Sequence, residues 1–164
     1  MPTTSAGLLP YRRLPDGGTE VLLGHMGGPF WARKDAGAWT VLKGELDPGE
    51  DPHAAALREA SEELGMDLPP APAPDLDLGE VRQRAGKKVL AWAREWPRTG
   101  PDLAQISSNT VEIEWPPRSG RRLEVPEIDR VAWFGPDDAR RLVVSAQAAF
   151  VDRLEHALAT PGVP

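Results

Sequence analysis

The chain has 164 residues, of which 40% are hydrophobic and 27% charged, as in an ordinary soluble globular protein. This length suggests a single domain over residues 1–164 that is large enough to bury a real core. The net charge of −6 argues against a nucleic acid polymer or an anionic membrane as the main partner. A small polyphosphate remains compatible with that charge, because bound metal ions reverse the local field. The sequence has no cysteine, signal-peptide core or membrane-spanning apolar run, which excludes disulfides, thiol nucleophiles and zinc–thiolate sites and fits a cytoplasmic protein.

The N-terminal segment has the pattern of a β-hairpin. Residues 4–12 and 20–26 are rich in strand-forming residues, and the Pro-Asp-Gly-Gly sequence at 15–18 is typical of a turn. We therefore expect two antiparallel strands at the start of the chain.

The loop that follows this hairpin is a candidate substrate-binding segment. It brings two aromatic and two basic side chains together, namely Phe30, Trp31, Arg33 and Lys34. Such a group can stack a nucleobase and neutralise phosphate, which makes Trp31 and Arg33 candidate substrate-binding residues. The alternative is a hydrophobic plug under a loop, with solvated charges beside it.

Residues 39–42 predict a short strand, which leads through a Gly- and Pro-rich loop into a helix from Pro52 to Leu64. Pro52 suits a first helical turn, where its missing N–H has no helical partner. Asp51 can cap the free amides at the start of this helix, and Gly65 is a natural stop.

Three carboxylates lie on one side of this helix. At about 100° per residue, Glu59, Glu62 and Glu63 fall within about 100° of arc and repel one another, and only Arg58 offsets that repulsion locally. A cluster of hard oxygen ligands suits a divalent cation, Mg²⁺ above all. The alternative is a solvated acidic face.

The stretch from Gly44 to Met66 resembles the signature of the Nudix hydrolases. The positions in register are Gly44, Glu50, Arg58, Glu59, Glu62, Glu63 and Gly65, with Met66 as the final aliphatic residue. Ala60 is smaller than the aliphatic residue usual at its position. The predicted order of elements gives α and β layers around one mixed sheet but leaves the topology open. The resemblance implies the Nudix fold, an α/β/α sandwich around a mixed β-sheet, over essentially the whole chain.

The resemblance also implies a metal site. Glu59, Glu62 and Glu63 would bind one or more Mg²⁺ (or Mn²⁺), and a backbone carbonyl at or beside Gly44 would complete the ligand shell. The bound metal would polarise the phosphoanhydride and activate a water molecule that attacks phosphorus.

Further residues take roles from the same resemblance. Arg58 would hold the loop by pairing with Glu50, and Lys43 resembles a lysine of members that handle nucleoside polyphosphates, although it also fits an ordinary solvated lysine. Glu127, shortly before a strand that contains a Trp, matches the position of an extra metal ligand or general base in the family; the alternative is a surface role. The general base stays open among Glu62, Glu59 and Glu127.

The C-terminal part predicts further strands and two closing helices. A proline-rich connector covers 67–75, a hairpin is expected from 78–83 and 88–96, and a loop covers 97–108. The basic cluster at the hairpin tip is interpreted as a solvated end. Strands are expected at 110–115 and 130–134, and helices at 136–143 and 146–158. Alternation in the first of these strands puts Val111 and Ile113 on one face and Glu112 on the other, where Glu112 either reaches the substrate cleft or faces solvent.

These features predict a Nudix pyrophosphohydrolase that cleaves a nucleoside diphosphate linked to another moiety. Nucleoside triphosphates, dinucleoside polyphosphates, ADP-ribose and nucleotide sugars all stay open as substrates, and so does a homodimer. The alternative from another class is a non-catalytic Nudix-like module that senses a nucleotide. Complete retention of the signature glutamates favours the enzyme.

Overall fold

The computed structural model describes residues 3–101, 103 and 106–159, so residues 102, 104 and 105 of the predicted loop at 97–108 lie outside the described part. The strands and helices follow in chain order: β1 (Thr4–Arg13), β2 (Thr19–Met26), β3 (Trp39–Thr40), β4 (Leu42–Glu45), α1 (Pro52–Leu64), β5 (Leu76–Arg82), β6 (Lys88–Glu95), β7 (Thr110–Glu114), β8 (Arg122–Pro126), β9 (Ile128–Phe134), α2 (Pro136–Leu142) and α3 (Ala148–Ala159). No helix in this described part is both long and apolar enough to cross a membrane.

Seven strands form one mixed sheet. Its central order is β3-β2-β1-β6-β5, while β4 pairs with β1 and β9 pairs with β2. The β1–β6 pair is parallel, with Thr4 opposite Lys88, and the other pairs are antiparallel. β7 and β8 form a separate two-stranded ribbon. The predicted hairpins β1–β2 and β5–β6 are both confirmed.

Alternation along β1 divides the core between two faces. Leu8 packs with Ala60 and Leu64 of α1, whereas Leu9 and its neighbours pack with residues of α2 and α3. All of these side chains are fully or almost fully buried, so helices cover both faces of the sheet. The α/β/α sandwich predicted from the sequence is confirmed.

The strand predicted over residues 39–42 is two strands. The chain leaves β2 at Val41, whose N–H donates to the side-chain oxygen of Gln147 (2.9 Å) in place of a ladder partner. The next residues then pair with β1, where Leu42 lies opposite Leu8 and Glu45 opposite Ser5. Because of this transfer, Lys43 and Gly44 lie on a strand beside the start of β1.

The ribbon strand β8 is absent from the predicted elements. The sequence indicates a strand at 110–115 followed by a Pro- and Gly-rich stop. In the structure β7 ends at Glu114, and the chain returns as β8 with Ile113 opposite Leu123. The predicted alternation of β7 is confirmed, although Val111 is 42% exposed.

The remaining differences concern ends of elements. The last predicted helix begins later, at Ala148, because Ser145–Gln147 forms a 3₁₀ turn. The tip of the β5–β6 hairpin is also a 3₁₀ turn, Arg84–Gly86, and the proline-rich connector forms no regular element.

Candidate active site

Local signals place α1 where the sequence predicts it. The Asp51 carboxylate accepts a hydrogen bond from Ala54 N–H (3.0 Å), and Pro52 occupies the first turn. Gly65 ends the helix in the left-handed conformation (φ 68°), which glycine adopts without strain. The register of the acidic side chains is therefore fixed at both ends of α1.

Two of the three carboxylates on α1 are buried. Glu59 is 7% exposed and Glu63 is 3% exposed, whereas the Glu62 side chain is 43% exposed. Burial disfavours the charged form and raises the pKa of both Glu59 and Glu63. The alternative of a merely solvated acidic face does not describe these two residues.

Gly44 lies directly against the Glu59 carboxyl group. A Cβ atom built at Gly44 would overlap the carboxyl carbon and both oxygens of Glu59. Only glycine leaves room for the carboxylate at this point of β4. The first and fourth fixed positions of the sequence motif therefore touch each other in space.

Glu63 has an unpartnered oxygen. Its Oε2 is buried and finds no hydrogen-bond partner in the described part of the chain, whereas its carboxylate does accept a hydrogen bond from the Lys43 backbone. Burial, followed by the charge of nearby Glu127, holds the pKa of Glu63 well above its ordinary value. A buried, unpaired carboxylate oxygen is costly, so this atom is an obvious ligand position for a cation.

Arg58 ties the loop to the helix. Its Nε and Nη2 donate to the two oxygens of Glu50 (2.7 and 2.8 Å), as predicted. This bidentate pair lowers the pKa of Glu50 to about 2. Arg58 Nη1 also donates to Glu59 (2.9 Å) and Glu62 (3.1 Å), so one arginine orients three carboxylates.

A cavity of about 380 Å³ opens beside this acidic cluster. Of the predicted site residues, it is lined by Lys43, Gly44, Glu59 and Glu127. Burial raises the pKa of Glu127 and lowers that of Lys43, which means that both groups are partly withdrawn from water.

Seven further lining residues were not predicted from the sequence, and they include Gln83, Lys87 and Asn109. The sequence places Lys87 at a solvated hairpin tip. The parallel pairing of β1 with β6 brings that tip to the start of β1, so Lys87 and Lys43 line the same cavity. Two lysines beside acidic groups suit a polyphosphate that arrives with a metal ion.

The chemistry of the residues at this site fits a divalent cation, although the positions of their side chains do not form a closed set of metal ligands. In the described ranges, no three His, Asp or Glu groups converge closely enough to hold an ion. Arg58 now binds oxygens of Glu59 and Glu62 that a metal would need. The hard carboxylate oxygens, the free Glu63 Oε2 and the space at Gly44 nevertheless match the chemistry that Mg²⁺ or Mn²⁺ requires.

The predicted substrate loop contributes no residue to the lining of this cavity in the part of the chain that the structure describes. Trp31 packs against the larger core, as in the plug alternative, and Arg33 is exposed. The side chain of Phe30 is 50% exposed, and its ring packs edge-to-face against the Trp31 ring with 4.8 Å between the ring centres. The loop is anchored by the buried ring of His25, whose nitrogens lie 3.0 Å from the Asp129 carboxylate and 2.8 Å from the Lys34 carbonyl oxygen.

The structure does not bring Glu112 to the cavity. Its side chain is 61% exposed and lies 3.6 Å from Arg122 on the neighbouring strand of the ribbon. Period-two alternation explains this position, because Glu112 points away from the face that carries Val111 and Ile113.

The buried carboxylates predict an unusual dependence of stability on pH. Glu63 has a raised pKa when folded, so above the ordinary pKa of 4.5 the folded chain keeps a proton that the unfolded chain has released. The free energy of unfolding of the metal-free chain should therefore fall as pH rises through this window. Glu63→Gln should flatten that dependence and add about 1–3 kcal/mol of stability at neutral pH, because it removes a buried unpaired charge.

Urea unfolding in EDTA between pH 5 and pH 8 measures this effect. Identical pH dependences for the wild-type chain and Glu63→Gln would show that the Glu63 carboxyl group has no raised pKa in the folded chain.

The comparisons with known proteins agree with this geometry. A family model described as NUDIX domain matches residues 12–154. An RNA pyrophosphohydrolase of Erythrobacter litoralis (strain HTCC2594) is 30% identical over 120 residues, which are 68% of this chain and 67% of that protein.

Solved structures of other Nudix proteins have a similar fold. A C. elegans Ap4A hydrolase in a binary complex superposes with a TM-score of 0.64 at 25% identity, covering 96% of this chain and 98% of that one. The NUDIX domain of Shewanella oneidensis NrtR, complexed with ADP ribose, gives a TM-score of 0.62 over 96% of this chain and 89% of that one. That domain is 14% identical to this chain, so it shows the fold alone. The match of the family model to residues 12–154, together with the 30% identical relative, shows that the chain belongs to the NUDIX domain family.

Proposed function

We propose that the chain uses one or more divalent cations to hydrolyse a phosphoanhydride bond in a nucleoside diphosphate linked to another moiety. The observation that carries this proposal is the buried Glu63 Oε2, which has no hydrogen-bond partner among the described residues. It lies in a group of hard oxygen ligands beside a cavity that also contains two lysines. This combination suits a metal–polyphosphate complex better than any neutral ligand.

The proposed roles of the acidic residues follow from their burial and their charge. Glu59, Glu62 and Glu63 hold the cation together with a backbone carbonyl at or beside Gly44, and Glu127 is an additional ligand or the base. When bound, Mg²⁺ or Mn²⁺ polarises the phosphoanhydride and activates a water molecule. Arg58 holds Glu50, and through it the loop that precedes α1, in position.

Three carboxylates are candidates for the general base that takes a proton from the attacking water. Burial raises the pKa of Glu127 and of Glu59, which brings both closer to the range in which a base works best near neutral pH. Glu62 is more exposed and is accessible from solvent.

The cavity favours a short polyphosphate over a long nucleic acid. Lys43 and Lys87 supply local positive charge, while the chain as a whole carries a net charge of −6. A polymer with many phosphates would meet that overall repulsion, whereas a dinucleoside polyphosphate, a nucleoside triphosphate or ADP-ribose would not. The Erythrobacter relative is named an RNA pyrophosphohydrolase and the C. elegans relative an Ap4A hydrolase, which makes RNA and Ap4A the first compounds to compare.

The test is product release from a substrate panel. The purified chain is incubated with Ap4A, ATP, ADP-ribose, a nucleotide sugar and a short 5′-triphosphate RNA, each with Mg²⁺, with Mn²⁺ and with EDTA. We expect cleavage of at least one nucleotide with either metal and none with EDTA. Tight binding of one nucleotide without any product would overturn the enzyme proposal in favour of a nucleotide-sensing module.

A further inference from the structure

The ribbon formed by β7 and β8 has two chemically different faces. In its antiparallel register Val111 lies opposite Val125 and Ile113 opposite Leu123, so these four side chains share one face. The other face is acidic, with Glu112 opposite Glu124.

The apolar face continues into the wall of the catalytic cavity. Asn109 directly precedes β7 and Glu127 directly follows β8. The Glu127 N–H donates to the Asn109 carbonyl (3.0 Å), which extends the pairing of the ribbon by one residue pair. Residues two apart on a strand share a face, so Asn109 and Glu127 belong to the face of Val111 and Val125. Both Asn109 and Glu127 line the cavity. A substrate that extends out of the cavity along this face would therefore meet apolar side chains.

The loop after β2 packs against the base of this face. Gly27 N–H donates to the Glu127 carbonyl (3.0 Å), and a Cβ atom at Gly28 would lie 3.4 Å from Val125 and 3.7 Å from Ile113. Phe30 is three residues beyond Gly27, so its Cα lies at most about 11 Å from that contact. The Lys34 ammonium lies 3.5 Å from the centre of the Phe30 ring.

The exposed large hydrophobic side chains of the described residues are Phe30 (50% exposed), Val111 (42%) and Leu123 (41%). Val111 and Leu123 lie on the apolar face of the ribbon together with Ile113. We call Val111, Ile113 and Leu123 the apolar platform. It extends about 13 Å from Glu127 along β8, since four residues of strand span that distance.

We propose that the apolar platform binds the nucleobase of the substrate while the cavity holds its phosphates. This inference rests on the proposed function and adds to it the place where the nucleobase of the substrate binds. Flat bases are apolar on their faces and gain most from such a surface. The acidic opposite face of the ribbon repels phosphates, which leaves the platform side as the favourable route of approach.

The experiment compares a nucleotide with its base-free counterpart. We measure the dissociation constants of α,β-methylene-ATP and of inorganic tripolyphosphate by calorimetry with Mg²⁺. The test variant is the double substitution Val111→Thr and Leu123→Thr, which places the strand-forming residue Thr at both positions. The control is Glu124→Asp, on the same strand but on the opposite face, which keeps the charge of that face. Circular dichroism and melting curves show whether each variant folds.

We expect the double variant to bind the nucleotide about tenfold more weakly and to keep its affinity for tripolyphosphate within about twofold. The control should keep both affinities. Unchanged nucleotide affinity in the folded double variant, or equal losses for both ligands, would overturn the inference.

Two further results separate the inference from its alternatives. If the platform is covered by a second copy of the chain, sedimentation would show a dimer that the double variant breaks, with nucleotide affinity unchanged, and the inference would fail. If the wild-type chain cleaves no substrate and the double variant still shows the expected loss of nucleotide affinity, the hydrolase proposal fails while the platform stands.

Discussion

Replacing Glu62 with Gln is expected to lower kcat by about 10³-fold or more and to leave the fold intact. Glu62 is the exposed carboxylate of the α1 cluster, and in the structure its Oε1 is held by Arg58 at 3.1 Å. The amide keeps nearly the same shape but loses the charge that a divalent cation or a water proton requires. Because the side chain is 43% exposed, the change in the free energy of unfolding should stay within about 0.5 kcal/mol.

A matched carboxylate gives the control for Glu62. Glu155 on α3 also pairs with an arginine, Arg140, and its side chain is 47% exposed. Glu155→Gln should therefore change neither kcat nor the melting temperature appreciably. An unchanged rate in Glu62→Gln would remove Glu62 from the active site.

Replacing Gly44 with Ala is expected to lower kcat/KM by about 10²-fold or more, because a methyl group at this position overlaps the Glu59 carboxyl group. Glu59 would have to move, and Mg²⁺ tolerates little change in ligand geometry. The affinity for Mn²⁺, measured by calorimetry, should fall together with the rate. A normal rate and a normal metal affinity would show that Glu59 needs no fixed position.

Gly135→Ala is the control for this substitution. Gly135 precedes α2, and an added Cβ atom there meets no other atom within 4 Å. Both variants exchange a hydrogen for a methyl group, so a difference between them measures the contact with Glu59. Full activity is expected for Gly135→Ala.

The parts of the site that lie close together in sequence could be predicted. Asp51, Pro52 and Gly65 specify the ends of α1 by local chemistry, and the positions of the acidic residues on that helix then follow from its period. The Arg58–Glu50 pair also lies within one loop and the following helix. Burial of Glu59 and Glu63 does not follow from the helix period, because it depends on which neighbouring strands cover them.

The parts that depend on long-range pairing could not be predicted. Lys87 belongs to the cavity because β6 pairs in parallel with β1, more than eighty residues earlier in the chain. The strand β8 alternates Leu and Val with polar residues over only five positions, which is too short a pattern to stand out beside the turn before it.

The sequence also does not tell which of two similar side chains faces the core, the solvent or the cavity. The sequence names Trp31 as the stacking ring, whereas the turn in which Trp31 N–H donates to the Gly28 carbonyl (3.2 Å) directs Trp31 toward the core and leaves Phe30 exposed. In the same way, Glu112 and Glu127 are both acidic residues near strands. The ribbon register puts only Glu127 on the cavity side.

If the buried acidic cluster of α1 binds a divalent cation, crystals grown with Mn²⁺ will reveal it by anomalous diffraction. We expect a manganese peak within coordination distance of Glu63 Oε2 and of the Glu59 carboxylate beside Gly44, with the Glu59 carboxylate turned away from Arg58. A structure in which Mn²⁺ is absent from this cluster, with Glu63 Oε2 still unpartnered and Glu59 still bound to Arg58, would contradict it.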